Sequence, residues 1–298
     1  MQKNLKGTLI LLLTAMIWGT AFVAQTAASD TVSAFTFNAS RSVLASVFLF
    51  LIVFFRNKIG KEGKPLFDRR SLLSGIYCGI PLFIATNLQQ FGIGLYPEDT
   101  ASSGRAGFIT ATYVVMVAVF SIAKARRFRI VILAATVICM AGMYLLSFSG
   151  GIDGIYTGDI LIFLCAIGFA AYILLVDRYG TVDTVRVSCI QFSVVAVLSL
   201  ICMFIFEDPK WSPLQEAWFP VCYAGILSSG VAYTLQMVGQ KYAEPVVATI
   251  VMSLESVFAA FSGWLILSEK MKGRELLGCA LVFVAVILAQ FPEKKQGG

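Results

Sequence analysis

The 298-residue chain contains no histidine. That excludes every mechanism that needs an imidazole base, proton shuttle or metal ligand. Charge is scarce too: Asp, Glu, Lys and Arg make up 13% of the residues, and 58% are hydrophobic. Soluble domains carry about 25% charged residues, so a soluble globular domain is excluded. The net charge of +6 then has no bearing on nucleic acid, and no nucleic-acid partner is expected. Cys78, Cys139, Cys165, Cys189, Cys202, Cys222 and Cys279 all lie in apolar runs with no CxxC spacing. They read as small core residues, not as disulfides or metal ligands. With no Walker A or other nucleotide motif in the chain, neither a cofactor nor a metal is expected.

What the chain has is long hydrophobic runs. A bilayer core of about 30 Å needs about 20 mostly apolar helical residues. Ten runs qualify: 7–28, 32–55, 71–95, 100–122, 128–148, 156–176, 185–206, 216–239, 245–267 and 274–291. The first has Lys3 and Lys6 ahead of it and small residues at Thr26-Ala27-Ala28, as a signal peptide would. Its length and the span that follows at once make it a retained first helix.

Ten spans put both termini on one side of the membrane. Placing them inside also puts the connections 56–70, 123–127, 177–184 and 240–244 inside. The inner face then carries Lys3, Lys6, Arg56, Lys58, Lys61, Lys64, Arg69, Arg70, Lys124, Arg126, Arg127, Arg129, Arg178, Arg186, Lys241, Lys294 and Lys295, 17 of the 23 basic residues. Arg105, Lys210, Lys270, Lys272 and Arg274 remain outside, and Arg41 falls within the membrane. The positive-inside rule therefore predicts cytoplasmic termini and a multi-pass protein of the cell membrane, most simply a bacterial inner membrane.

Ten spans divide into five and five, and halves with an odd number of spans insert in opposite senses. Ala15-Met16-Ile17-Trp18-Gly19-Thr20-Ala21-Phe22 aligns with Cys165-Ala166-Ile167-Gly168-Phe169-Ala170-Ala171-Tyr172, and 94–129 parallels 239–274. Chance similarity between apolar helices is the alternative. The expectation is an all-α membrane protein of two inverted five-helix repeats, 1–148 and 156–291, with a short tail at 292–298. Such repeats enclose a central cavity at the bilayer midplane.

Several motifs also resemble a known family. Trp18-Gly19-Thr20-Ala21-Phe22 resembles the W-G-[ST]-x-[FW] signature of the EamA branch of the drug/metabolite transporter superfamily, and Arg41 resembles an arginine of that family's second helix. Leu254-Glu255-Ser256-Val257-Phe258-Ala259-Ala260, ending in Leu267-Ser268-Glu269-Lys270, resembles its L-E-P-V-x-A-A … L-G-E pattern. Ser256 and Ser268 depart from it, replacing a proline and a glycine. The resemblance implies ten helices around a cavity and the passage of small metabolites.

Few polar residues lie deep enough to need a reason. Glu255 is near the middle of the ninth run, where an ionised group costs about 2.5–3.5 kcal/mol to insert. It contacts a substrate amine, couples transport to protons, or pins two helices together. Arg41, with Asn38 on the same helical face, binds a substrate carboxylate, pairs with Glu255, or contacts a backbone carbonyl. Arg105 enters the fourth run from outside, at the mouth of a cavity or snorkelling to the interface. Trp18 belongs to a stripe with Thr14, Ala21 or Phe22, and Gln25 and reads as cavity wall or as packing. Tyr77, Tyr113, Tyr172 and Tyr233 offer hydroxyls to an apolar pocket or simply pack. Asn87, Gln89 and Gln90 form the densest uncharged polar cluster, on a helix where Pro81 suggests a kink or hinge. Gly75/Gly79, Gly225/Ser229 and Ala259/Gly263 allow close helix contact.

An intramembrane enzyme is disfavoured, because serine–histidine chemistry needs histidine and an aspartyl dyad needs two mid-membrane aspartates. The expectation is a secondary transporter of small organic metabolites, with amino acids or related compounds first. Carriers of nucleotide-sugar-like or drug-like solutes come next, and a channel or structural subunit after those. Direction, coupling ion and oligomeric state are not readable.

Overall fold

The computed structural model describes residues 2–29, 31–59, 67–97, 102–125, 130–147, 154–179, 182–266 and 273–290. Every described element is helical. The first three spans are single helices, α1 (Gln2–Ser29), α2 (Ala34–Ile59) and α3 (Arg69–Gly94). The fourth is split into α4 (Ser102–Thr110) and α5 (Tyr113–Ala125). The next three are α6 (Ile130–Ser147), α7 (Thr157–Tyr179) and α8 (Thr184–Phe206), and a short exposed helix, α9 (Trp211–Glu216), follows. The eighth span joins α10 (Trp218–Cys222), a π-helical stretch (Tyr223–Ala232) and α11 (Tyr233–Gln240). The ninth is split into α12 (Pro245–Met252) and α13 (Leu254–Ile266), and α14 (Gly273–Gln290) is the tenth. Among the described residues, ten helical spans are long and apolar enough to cross a membrane, each within a few residues of the runs expected from sequence.

The ends of these helices are fixed by side chains that satisfy orphan backbone N–H groups. Asp68 caps α3, accepting from the Arg70 and Ser71 backbone at 3.0 and 2.9 Å. Glu207, where α8 ends, reaches back to α2 and accepts from the Phe35 and Thr36 backbone at 2.9 and 2.8 Å. Asp183 caps α8 and pairs with Arg56 at the end of α2, so these two helices are clasped at both ends.

Glycines set the closest seams, as expected where helices associate without a hydrophobic driving force. A methyl group at Gly142 of α6 would lie 2.7 Å from the Gly278 carbonyl of α14, and one at Gly278 would lie 2.6 Å from the Gly142 carbonyl. This contact is reciprocal, as across a two-fold axis. Two other seams form a matched pair. Gly158 and Ile162 of α7 meet Gly92 of α3 as Gly7 and Leu11 of α1 meet Gly239 of α11. Gly79 of α3 packs on the Gln191 carbonyl and Val194 of α8, while Gly225 packs on the Arg41 carbonyl and Leu44 of α2. Carried along α1, this register sets Trp18 opposite Phe169. The alignment from sequence was therefore one residue out, since it set Trp18 opposite Gly168.

Helix irregularities recur in the same way. At Thr112, between α4 and α5, the hydroxyl bonds the Ile109 carbonyl at 2.6 Å. At Ser253, between α12 and α13, the hydroxyl bonds the Ile250 carbonyl at 2.6 Å. In each case a side chain competes for a carbonyl of the ladder, and the helix breaks there. Pro81 does not end α3, which runs through it; the irregular stretch is instead the π-helix of the eighth span. The 267–270 motif, Lys270, Lys272 and the 292–298 tail lie outside the described residues.

Candidate functional site

The two helix breaks and the π-helix bring polar side chains to one place. Tyr113 is the first residue of α5, and Glu255 is the second of α13. Both face one cavity in the bundle. α1 supplies Trp18, Phe22 and Gln25, α2 supplies Arg41, and the eighth span supplies Ser228, Tyr233 and Gln236. Gln89, Thr110, Phe169, Tyr172 and Ile173 complete the wall from α3, α4 and α7. Under the seam register, Trp18 answers Phe169, Phe22 answers Ile173 and Gln89 answers Gln236.

Aromatic rings form the floor. Trp18 meets Tyr233 edge-on at 4.8 Å between centroids, and Tyr172 meets Tyr233 at 5.8 Å. The Trp18 indole N–H donates to the Ser228 carbonyl at 3.3 Å, a contact made inside the π-helical stretch. Gly19, one residue on, brings α1 against α13; a methyl there would lie 2.6 Å from the Glu255 carbonyl and 2.6 Å from Phe258 Cβ. This seam fixes the wall that carries Glu255.

Arg41 and Glu255 are both buried, yet they form no ion pair with each other. The Arg41 guanidinium donates to Gln25 Oε1 at 3.3 Å and lies 5.4 Å from the centre of the Phe37 ring. The Glu255 carboxylate makes no hydrogen bond with any described residue. The Tyr113 hydroxyl and the Gln236 amide oxygen are buried without a partner as well. A buried charge costs too much to leave unpaired unless water or a bound solute completes it or the group takes up a proton. The cavity thus presents a guanidinium, a carboxyl group and unused hydrogen-bonding capacity inside an aromatic wall. That arrangement can hold a small polar solute.

Of the residues singled out from sequence, Trp18, Phe22, Gln25, Arg41, Gln89, Tyr113, Tyr172, Tyr233 and Glu255 line this cavity. Tyr77, Asn87 and Arg105 do not. Tyr77 is 49% exposed on the outer face of α3 and stacks on Tyr179 at 5.3 Å. Asn87 is buried in a network that holds helices together, accepting from Asn38 at 3.0 Å and donating to the Phe83 carbonyl at 2.8 Å. Arg105 is neither at a cavity mouth nor snorkelling. It forms a two-pronged ion pair with Asp159 of α7, at 2.7 and 2.6 Å, with Tyr96 donating to the same carboxylate at 2.8 Å. The Arg105 guanidinium also bonds the Gly154 carbonyl and lies 4.7 Å from the centre of the Tyr156 ring. Gln236, Thr110, Phe169 and Ser228 were not anticipated. An alignment in the correct register would have pointed to Gln236 from Gln89 and to Phe169 from Trp18.

Comparison with known proteins gives a consistent result. The profile of the EamA-like transporter family matches residues 5–148 and 156–291. An uncharacterized transporter of Archaeoglobus fulgidus is 28% identical over 287 residues, covering 96% of this chain and 86% of the relative. The uncharacterized transporter YoaV of Bacillus subtilis is 24% identical over 289 residues, covering 93% and 94%. A solved crystal structure superposes with a TM-score of 0.78 at 20% identity, covering 96% of each chain, so the fold is shared. With ten apolar spans and a family profile matched along nearly its whole length, the chain belongs to the EamA-like transporter family, within the drug/metabolite transporter superfamily.

Proposed function

We propose that this membrane transporter is a secondary-active carrier of small organic metabolites, amino acids or closely related compounds foremost, working by alternating access across the aromatic cavity. The observation that carries the reading is the pairing of Arg41 with Glu255 in one cavity without contact between them. A zwitterion supplies the missing partners, with its carboxylate on Arg41 and its ammonium group on Glu255 and the rings of Trp18 and Tyr233. Among the described residues, Arg41 is the single basic side chain on the wall, which disfavours polyanionic cargo such as nucleotide sugars.

Alternating access is supported by the matched seams and paired helix breaks, which fit two inverted five-helix halves at 1–148 and 156–291. Broken helices at corresponding places in two halves are a pointer to a substrate site, and here they flank Tyr113 and Glu255. The basic connections favour cytoplasmic termini in a cell membrane. Glu255 is also the proposed proton-coupling group, being the one carboxylate on the cavity wall of a chain without histidine.

Counterflow in proteoliposomes tests the reading, with a panel of amino acids, nucleotide sugars, nucleosides and amphipathic drugs run with and without a pH gradient. Accelerated exchange of amino acids supports it. Exchange of nucleotide sugars in preference to amino acids sinks the substrate assignment. Glu255→Gln is expected to abolish stimulation by the pH gradient while the protein stays monodisperse; retained stimulation removes Glu255 from coupling.

A further inference from the structure

Among the described residues, three glutamines stand on the cavity wall, and two of them are committed to neighbours. Gln25 accepts from the Arg41 guanidinium at 3.3 Å, and Gln89 donates to the Thr110 hydroxyl at 3.3 Å. The third, Gln236 of α11, is 1% exposed. Its amide oxygen has no partner, and its amide nitrogen makes no hydrogen bond with a described residue. The glycine seams sharpen the contrast. Gln89 stands three residues before Gly92 and Gln236 three before Gly239, so they occupy matched places. One is anchored to the neighbouring helix and the other is not. Gln236 is also flanked on its own helix by residues tied to the wall. Tyr233, three residues before it, packs against Trp18. Gln240, four residues after it, donates at 3.3 Å to the carbonyl of Ile173, which lines the cavity. An unpaired amide is costly in a membrane interior, and an occupant of the cavity that bonds it offsets that cost.

We propose that Gln236 is a specificity-determining residue of the cavity. It selects cargo whose side chain carries an uncharged group able both to donate and to accept a hydrogen bond, a hydroxyl or a carboxamide. The proposal rests on the transport reading of that cavity and adds the side-chain class. Arg41 and Glu255 serve the charged groups of the cargo, and Gln236 serves its side chain. A glutamine amide offers two N–H donors and a carbonyl acceptor. Its terminal torsion is broad and two-fold, so either end can be turned to the occupant. It therefore pairs with a carboxamide through two hydrogen bonds, or with a hydroxyl as donor or acceptor. A hydrocarbon or thioether side chain of the same size leaves the amide desolvated and unpaired, so apolar amino acids are carried at a higher KM.

The test uses purified full-length protein in proteoliposomes and two pairs of solutes matched in size, glutamine with methionine and threonine with valine. In wild type the KM for exchange should be about tenfold lower for the polar member of each pair. Gln236→Met replaces the amide with a side chain of similar length. It should raise the KM for glutamine about tenfold while the KM for methionine stays level or falls, so the preference disappears. The melting temperature in detergent should hold or rise, because an unpartnered polar group has been removed. A merely structural residue would move both solutes of a pair together. Should the variant fail to fold, the wild-type comparison of matched solutes stands without it. Equal KM values within both pairs mean that water alone serves the amide and overturn the inference while leaving transport intact. A folded Gln236→Met protein that keeps the wild-type preference overturns it as well. A wild-type protein that exchanges none of the four amino acids overturns the substrate reading and this inference together.

Discussion

Arg105 shows what burial does to a charge in this molecule. Its ion pair with Asp159 is almost completely enclosed, both carboxylate oxygens are used, and Tyr96 and Gly154 supply further hydrogen bonds. Removing one partner strands the other, which costs about 3–5 kcal/mol, whereas replacing both with apolar residues of similar volume is close to neutral. Arg105→Met should therefore sharply lower the melting temperature in detergent, and R105M/D159L should recover most of the loss. The substrate profile should stay unchanged, because neither residue lines the cavity. Asp183 gives a pH-dependent case outside the membrane. Burial raises its carboxyl, but the Arg56 ion pair and the backbone N–H of Arg186 outweigh it and hold the group below the usual carboxylate range. A depressed pKa contributes stability that is present above the unfolded value of about 3.9 and is lost as pH falls through the folded one. Asp183→Asn should thus melt earlier than wild type at pH 7, and the gap should close as the pH is lowered through about 4. A gap that persists at low pH would assign the effect to lost packing instead.

At the scale of helices, the spans were readable from sequence and their interruptions were not. Membrane length and apolar composition act locally, so each run announces itself within about 20 residues. The breaks at Thr112 and Ser253 depend on one hydroxyl taking a carbonyl, and many serines and threonines in these helices do so without breaking them. Thr86 bonds the Leu82 carbonyl at 2.8 Å within an intact α3. Pro81 lies inside a helix that continues through it, and the π-helix lies in a stretch without proline. Trp18, Arg41 and Glu255 were legible because a polar or amphipathic group deep in an apolar helix needs an interior reason. Tyr77 and Asn87 failed because composition does not tell a lipid-facing tyrosine or a satisfied asparagine from a cavity residue. The Arg105–Asp159 pair spans 54 positions, and nothing local links the two. The seams carry a sharp prediction of their own. Gly19→Leu drives side-chain atoms into α13 beside Glu255, so it should cost about 1–3 kcal/mol or more in stability. It should also abolish transport at temperatures where the variant is still folded, as read by paired melting and exchange assays.

Taken whole, the molecule sorts its few polar groups by function. Basic residues gather at the helix connections, and buried ion pairs and caps such as Arg105–Asp159 and Glu207 on α2 tie elements together. Among the described residues, Arg41 and Glu255 bring a guanidinium and a carboxyl group to one cavity without meeting. The central claim is that this cavity carries a small zwitterion across the membrane. Counterflow of radiolabelled leucine or phenylalanine into proteoliposomes measures it most directly, comparing wild type with Arg41→Gln and Glu255→Gln. The account predicts exchange well above protein-free liposomes for wild type, and a loss of about tenfold or more in each variant that remains folded. Exchange no faster than in empty liposomes, or folded variants that exchange as well as wild type, would contradict it.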